Sequence, residues 1–302
     1  MRVFITGASG WIGSATTDEL LAHGHQVVGL ARSDASAAAL EAKGAQVLRG
    51  DLDDLASLRA GARDAAAVIH LANKHDFEHP EVSNKAERGA VEAIGDELAG
   101  SGRPFLLASG AALPGSGSPL VESDASPFHG PDSMRGGTEN LALSYADRGI
   151  RPVALRFAPT VHGTGDHGFV SVLVATAKER GVSAYVGDGT HRWSAVHLSD
   201  AARLNRLALE AAAADGSGGP SIVHAVAEEG VPTRQIAEAI GAYLELPVTS
   251  VDPDRAVDRF GWLGRFFGMD VAASSAVTRE RLGWTPTGPT LVEDLAAGAY
   301  GG

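Results

Sequence analysis

The chain has 302 residues, 44% hydrophobic and 21% charged, enough for one large domain or a domain with a lobe. Lys and Arg total 25 against 37 Asp and Glu, a formal net charge of -12, which disfavours general binding to nucleic acid or anionic membrane but allows a local basic pocket. Cysteine is absent, so disulfides, thiolate metal sites and thiol catalysis are excluded.

In chain order, residues 2–6 read as a buried strand, 11–24 as a helix ended near Gly24, and 26–32 as a second strand. A short helix follows over 34–44, with Ser33 or Asp34 as its N-cap. Strand 45–50, helix 53–62, strand 66–72, helix 81–101 and strand 103–109 continue the alternation. A helix is expected over 133–148 and a sixth strand over 151–157. Apolar strands, each followed by a helix, imply a parallel sheet covered on both faces. Right-handed crossovers make it an α/β doubly wound (Rossmann) arrangement, with ligands beyond the carboxyl ends of the strands.

The second half alternates less regularly. A strand and turn are expected at 183–189, and an extended piece over 192–213 enters a helix at Ser199–Asp200, with Asp200 as cap. Strand 221–226, helix 231–246 and a helical stretch over 253–268 follow; Gly216, Gly218, Gly219 and Pro220 make a turn. The expected division is a dinucleotide-binding domain over 1–157, completed by about 191–227, and a smaller C-terminal substrate lobe from 158–190 and 228–302. Asp18 and Glu19 interrupt the first apolar run, so residues 1–30 do not read as a signal peptide. No stretch is apolar enough to span a bilayer, and a cytoplasmic location is the expectation.

The run TGASGWIG at 6–13 follows the first strand directly. Gly7 permits a sharp turn, Gly10 a close approach of backbone to phosphates, and Gly13 close packing of helix on strand. The helix amino end offers unpaired N–H groups to an anion, so the segment reads as a pyrophosphate site.

Further motifs stand in fixed order: GDLDD at 50–54, VIHLA at 68–72, LRFAPTVHG at 155–163, VGDGTHRWSAVHLSDAA at 186–202 and RERLGWTP at 279–286. With the glycine run, the chain resembles the extended short-chain dehydrogenase/reductase superfamily, in the branch of NAD-dependent epimerases and dehydratases. The resemblance implies a nicotinamide cofactor. Thr6, Gly7, Ser9, Gly10, Trp11, Ile12 and Gly13 would hold the pyrophosphate, with Asp51 and Leu52 at the adenine. Leu71, Ala72 and Asn73 would lie at the nicotinamide-side ribose, with Ser109, Arg135, Phe157, Ala158, Pro159 and Thr160 beside them. The second strand ends in Arg32 and Ser33, which suit a 2′-phosphate and favour NADP(H) over NAD(H); alternatively Asp34 serves the ribose.

The superfamily's catalytic Tyr-x-x-x-Lys motif is missing, because none of the four tyrosines has Lys four residues on. One register sets Pro131 at the tyrosine and Arg135 at the lysine, the other Met134 and Thr138. The first is preferred because Arg135 keeps a cation and Glu139 falls on an acidic position common in the family helix. Tyr145 lies too far along the helix to substitute. Ser109 matches the family's active-site serine, and Ser133 either polarises substrate or caps a helix.

Histidines are the usual substitutes for a lost proton donor. His162, Asp166 and His167 lie in a loop on the expected rim; His75 and Lys74 stand just past the nicotinamide position, while His70 reads as packed. A metal reading of the histidines ranks last, since nothing fixes a coordination geometry. His191, Arg192 and Trp193 fall where family members contact substrate.

The expectation is an atypical NADP(H)-dependent oxidoreductase, a reductase of a small carbonyl, imine or related metabolite. Its catalytic candidates are Ser109, Arg135, His75, His162 and Ser133. The rivals are a nucleotide-sugar epimerase or dehydratase and a non-catalytic NADP(H) sensor. A homodimer through helices 81–101 and 133–148 is the expected assembly, with a small-molecule substrate and neither nucleic acid nor membrane as partner.

Overall fold

The computed structural model describes residues 1–76, 79–112, 118–214 and 219–301. Gly216 and Gly218 of the expected turn lie outside them. The elements run β1 (Arg2–Thr6), α1 (Trp11–Ala22), β2 (Gln26–Ala31), α2 (Asp34–Ala42), β3 (Gln46–Arg49), α3 (Leu55–Arg63), β4 (Ala67–His70), α4 (Pro80–Leu98), β5 (Pro104–Gly110), α5 (Thr138–Ser144) and β6 (Arg151–Phe157). Then come β7 (Thr160–His162), α6 (Phe169–Arg180), β8 (Ser183–Val186), β9 (Arg192–His197), α7 (Leu198–Ala213), β10 (Ile222–Ala225), β11 (Glu228–Pro232), α8 (Thr233–Leu244), β12 (Val248–Val251), α9 (Ala256–Phe260), α10 (Leu263–Phe267), α11 (Ala276–Leu282) and α12 (Leu291–Ala296).

Seven parallel strands form the central sheet in the order β10-β6-β5-β4-β1-β2-β3. Successive strand residues point to opposite faces, so each strand feeds two cores. Val3, Ile5, Val27, Leu106, Val153 and Leu155 meet α1 and α7 on one face. Phe4, Val28, Leu30, Phe105 and Leu107 meet α3 and α4 on the other. Chain order reverses between β1 and β4, which places the ligand crevice at their carboxyl ends. A third apolar cluster sits between the three-stranded sheet β11-β9-β7, the pair β12-β8 and helices α6, α8, α9, α10 and α12. Among the described residues no helix is long and apolar enough to cross a membrane.

Three expected elements differ. The helix over 133–148 reduces to α5, because Arg135, Gly136 and Gly137 take positive φ of 52°, 62° and 62° and form a left-handed turn before it. A 3-10 turn, Tyr145–Arg148, follows it. The stretch 253–268 breaks at Gly261, with φ 59°, into α9 and α10. At α7 the cap is His197, whose Nδ1 accepts from the Ser199 amide. Asp200 instead takes the amides of Thr287 and Gly288 and the guanidinium of Arg203.

Candidate active site

The glycine turn is built by close approach. Gly7 has φ 71°, and a Cβ there would lie 2.7 Å from the nitrogen of Ala72, two residues past β4. A Cβ on Gly13 would strike the Gly7 carbonyl oxygen. Gly10 caps α1 with no side-chain acceptor, so the first N–H groups of α1 stay available to an anion. Ser9 and Gly10 are exposed, and Trp11 and Ile12 half-buried. The Thr6 hydroxyl bonds His70 Nδ1 at 2.7 Å and accepts from the Ala72 amide at 3.3 Å, tying β1 to β4. Burial, then the Arg135 charge, pushes His70 down to about 3, so it is packed and neutral. These residues fit a pyrophosphate.

At the end of β2, Arg32 is exposed, with no hydrogen bond or ion pair among the described residues. The Ser33 hydroxyl caps α2 by accepting from the Ser36 amide at 3.2 Å. Asp34 pairs with Arg49 at 2.8 Å, and Arg49 also donates to the Ser33 carbonyl at 2.7 Å. The Arg49 guanidinium therefore reaches the amino end of α2, next to which exposed Arg32 stands in sequence, and Arg49 had no motif to mark it. Its signal is register: β3 pairs Arg49 with Ala31. Asp51 Oδ1 accepts from the amides of Asp53 and Asp54, and Leu52 is buried beside it.

Past β4 the chain leaves the sheet through half-buried Leu71 and Ala72. Asn73 donates to Glu87 at 2.7 Å, and Arg135 pairs with the same carboxylate at 2.5 Å. Glu87, in the middle of α4, is 1% exposed, whereas Arg135 keeps 36% of its side chain open. The Asn73 side-chain oxygen accepts from the His75 amide at 2.7 Å. His75, with φ 52°, is exposed, yet the cleft walls partly desolvate its imidazole. Desolvation and then the Arg135 charge hold it below the usual histidine range.

The other candidates are committed elsewhere. The Ser109 hydroxyl donates to Glu139 at 2.5 Å, and Glu139 pairs with the wholly buried Arg156 at 2.6 Å. Arg156 in turn lies 3.4 Å from His224 Nε2, while His224 Nδ1 bonds the Ser274 carbonyl. Ser133 donates to the Gly130 carbonyl at 2.8 Å; it stands at the N-cap position of a 3-10 turn, Met134–Gly137, but its side chain makes no cap hydrogen bond. Lys74 binds both oxygens of Asp53. Phe157, Ala158 and Thr160 are buried, and Pro159 is half-buried. Tyr145 turns away to donate to Asp96.

The loop after β6 divides its histidines differently from the expected rim. His162 is fully buried, its Nδ1 bonded to Asp294 at 2.5 Å, and burial lowers its pKa. The strand pairing of β7 with β9 sets it beside His197, with ring centroids 5.6 Å apart. His167 is exposed instead, edge-on to Trp11 at 5.7 Å, and its charge is felt at His75. Trp11 donates to the Val161 carbonyl at 2.8 Å. Asp166 accepts from the Gly168 amide and from Tyr300, and the Gly165 amide reaches the Ala299 carbonyl. Arg192 is held by Asp270 through its amide, Nε and Nη2. Trp193 is fully buried. Among the described residues no group of three or more His, Asp or Glu could hold a metal ion.

Over residues 3–224 the chain matches the model of the NAD dependent epimerase/dehydratase family. The uncharacterized protein C2A9.02 of Schizosaccharomyces pombe is 45% identical over 300 residues, 99% of this chain and 100% of that protein. The 4-hydroxy-2-methyl-3-oxo-4-farnesyl-3,4-dihydroquinoline-1-oxide ketoreductase of Stigmatella aurantiaca is 27% identical over 222 residues, 70% of this chain and 65% of that one. Among solved structures, the dTDP-glucose 4,6-dehydratase DesIV of Streptomyces venezuelae, with NAD and TYD bound, has a TM-score of 0.77 at 20% identity. That likeness covers 99% of this chain and 96% of the other, and it concerns the fold. With the family model matched over most of its length and a doubly wound sheet to match, the chain belongs to the NAD dependent epimerase/dehydratase family.

Proposed function

We propose that the protein is an NADP(H)-dependent oxidoreductase, a reductase of a small carbonyl, imine or related metabolite, with His75 handling the proton. One observation carries this reading: His75 is exposed, with its amide held by Asn73 and the Arg135 charge felt at its ring, while the Ser109 and Ser133 hydroxyls donate to Glu139 and Gly130 and His162 is fully buried with its Nδ1 on Asp294. The Stigmatella relative, a ketoreductase by name, supports carbonyl reduction as the chemistry. When bound, the nicotinamide supplies or takes the hydride. Arg135 then orients the ribose or the substrate oxygen, and protonated His75 gives that oxygen its proton and recovers one from solvent.

The pH dependence follows from the sign of the shift. The His75 pKa is lowered, so its acid form accumulates only below the usual histidine range. Carbonyl reduction should accelerate as pH falls through that pKa, and the reverse oxidation should be favoured above it. A His75→Asn variant should lose this limb of the pH–rate profile; a profile identical to the parent's would refute the role. NADPH binding followed by fluorescence, with no turnover of any aldehyde, ketone or imine, would favour a sensor.

For the cofactor, exposed Arg32 beside the Ser33 cap of α2 suits a 2′-phosphate, and Arg49 would join it by exchanging Asp34 for the phosphate. Arg32→Ala and Arg49→Ala should each weaken NADPH about tenfold more than NADH. Equal weakening would refute the contact.

A further inference from the structure

The wall of the crevice beyond His167 is aromatic. Phe169 opens α6 two residues after His167, whose ring meets Trp11 of the glycine turn. Phe169 stands edge-on to Trp262 at 5.6 Å, to Phe266 at 5.3 Å and to Trp193 at 5.9 Å. Trp262 is 46% exposed at the break between α9 and α10, an unusual place for so large an apolar ring. Ala112, two residues beyond β5, packs against the same cluster, so the wall is continuous with the carboxyl end of the sheet.

Arg192 on this side is already paired. Arg192, where family resemblance would look for a phosphate contact, gives its amide and two guanidinium nitrogens to Asp270. A diphosphate bound there would compete with Asp270 for a guanidinium whose side chain is 35% exposed, and would meet that carboxylate.

We propose that Phe169, Trp262 and Phe266 form the surface on which substrate lies, and that the substrate is an uncharged carbonyl compound or alcohol with a ring or branched hydrocarbon face, not a nucleotide sugar. This rests on the oxidoreductase reading of the same crevice. The rings supply offset and edge contacts to a planar or bulky group, and its oxygen is left toward His75 and Arg135. Exposed Arg265, which lines a small cavity with His191 and Gly268, is the alternative anchor for an anion.

The test is binding to the NADPH-loaded protein, read by saturation-transfer NMR with acetophenone, acetone and UDP-glucose as probes. Acetophenone should bind saturably and about tenfold more tightly than acetone. Phe169→Ala should remove most of that preference with NADPH affinity unchanged. Trp262→Ala, at an exposed position, should reduce it without disturbing the fold. Equal binding of the two ketones, or an unchanged preference in both variants, overturns the proposal. Saturable UDP-glucose binding that is lost in Arg265→Ala overturns it in favour of an anionic substrate. Because the readout needs no turnover, failure of the oxidoreductase reading would show separately, as probe binding without NADPH consumption.

Discussion

Two arginine–glutamate pairs flank the crevice, and they are not equivalent. In Arg156–Glu139 both side chains are buried, at 0% and 7% exposure, and the carboxylate also accepts from Ser109. In Arg135–Glu87 the carboxylate is as deeply buried, at 1%, but the arginine side chain is 36% open and its charge is felt at His75. The first pair has every strong acceptor filled from inside the protein, which makes it a pin between β5, α5 and β6. In the second the carboxylate is likewise filled, by Arg135 and Asn73, but the arginine side chain stays partly open, which leaves a cation where a ligand can reach it. Charge alone therefore does not mark a functional pair; the side left open does.

The largest way to break this contrast is Arg156→Leu. It leaves Glu139 charged and buried, and should cost about 3–5 kcal/mol in urea unfolding at neutral pH. A loss below about 1 kcal/mol would mean that the pair is not the pin described. Ser109→Ala comes next. It removes one hydrogen bond to a charged group, so stability should fall by about 1–2 kcal/mol while turnover persists. Abolished turnover in a stable variant would restore Ser109 to the reacting atoms. The smallest effect is electrostatic. Arg135→Gln removes a cation beside His75, so the His75 pKa, read by NMR, should rise back toward 6.5; no movement would separate the two residues.

Much of the fold was legible because its rules are local. Gly7 and Gly13 are demanded by contacts within one turn, and strands such as β1 and β4 show as continuous apolar runs. The candidate site was legible where residues follow a strand end directly, as with Asn73 and His75. It was not where partners meet from distant segments. Glu87 is 48 residues from Arg135 and looks like any helical acid until packing buries it. The left-handed turn at 135–137 was hidden because only its two glycines hint at positive φ, and Arg135 shares it. His162 and His167 are indistinguishable by composition. Their opposite fates depend on the register of β7 with β9 and on Asp294, 132 residues later.

The loop that carries His167 is moored in part by that remote segment: Asp294 beside its start, Ala299 at Gly165 and Tyr300 at Asp166. Closing a span of about 130 residues costs about 2 kcal/mol more chain entropy than closing one of ten. The His167 side of the crevice is therefore expected to assemble late in folding, after the local strand–helix units that shape the glycine turn. A nascent chain would have its phosphate cradle before it has the far wall of its site.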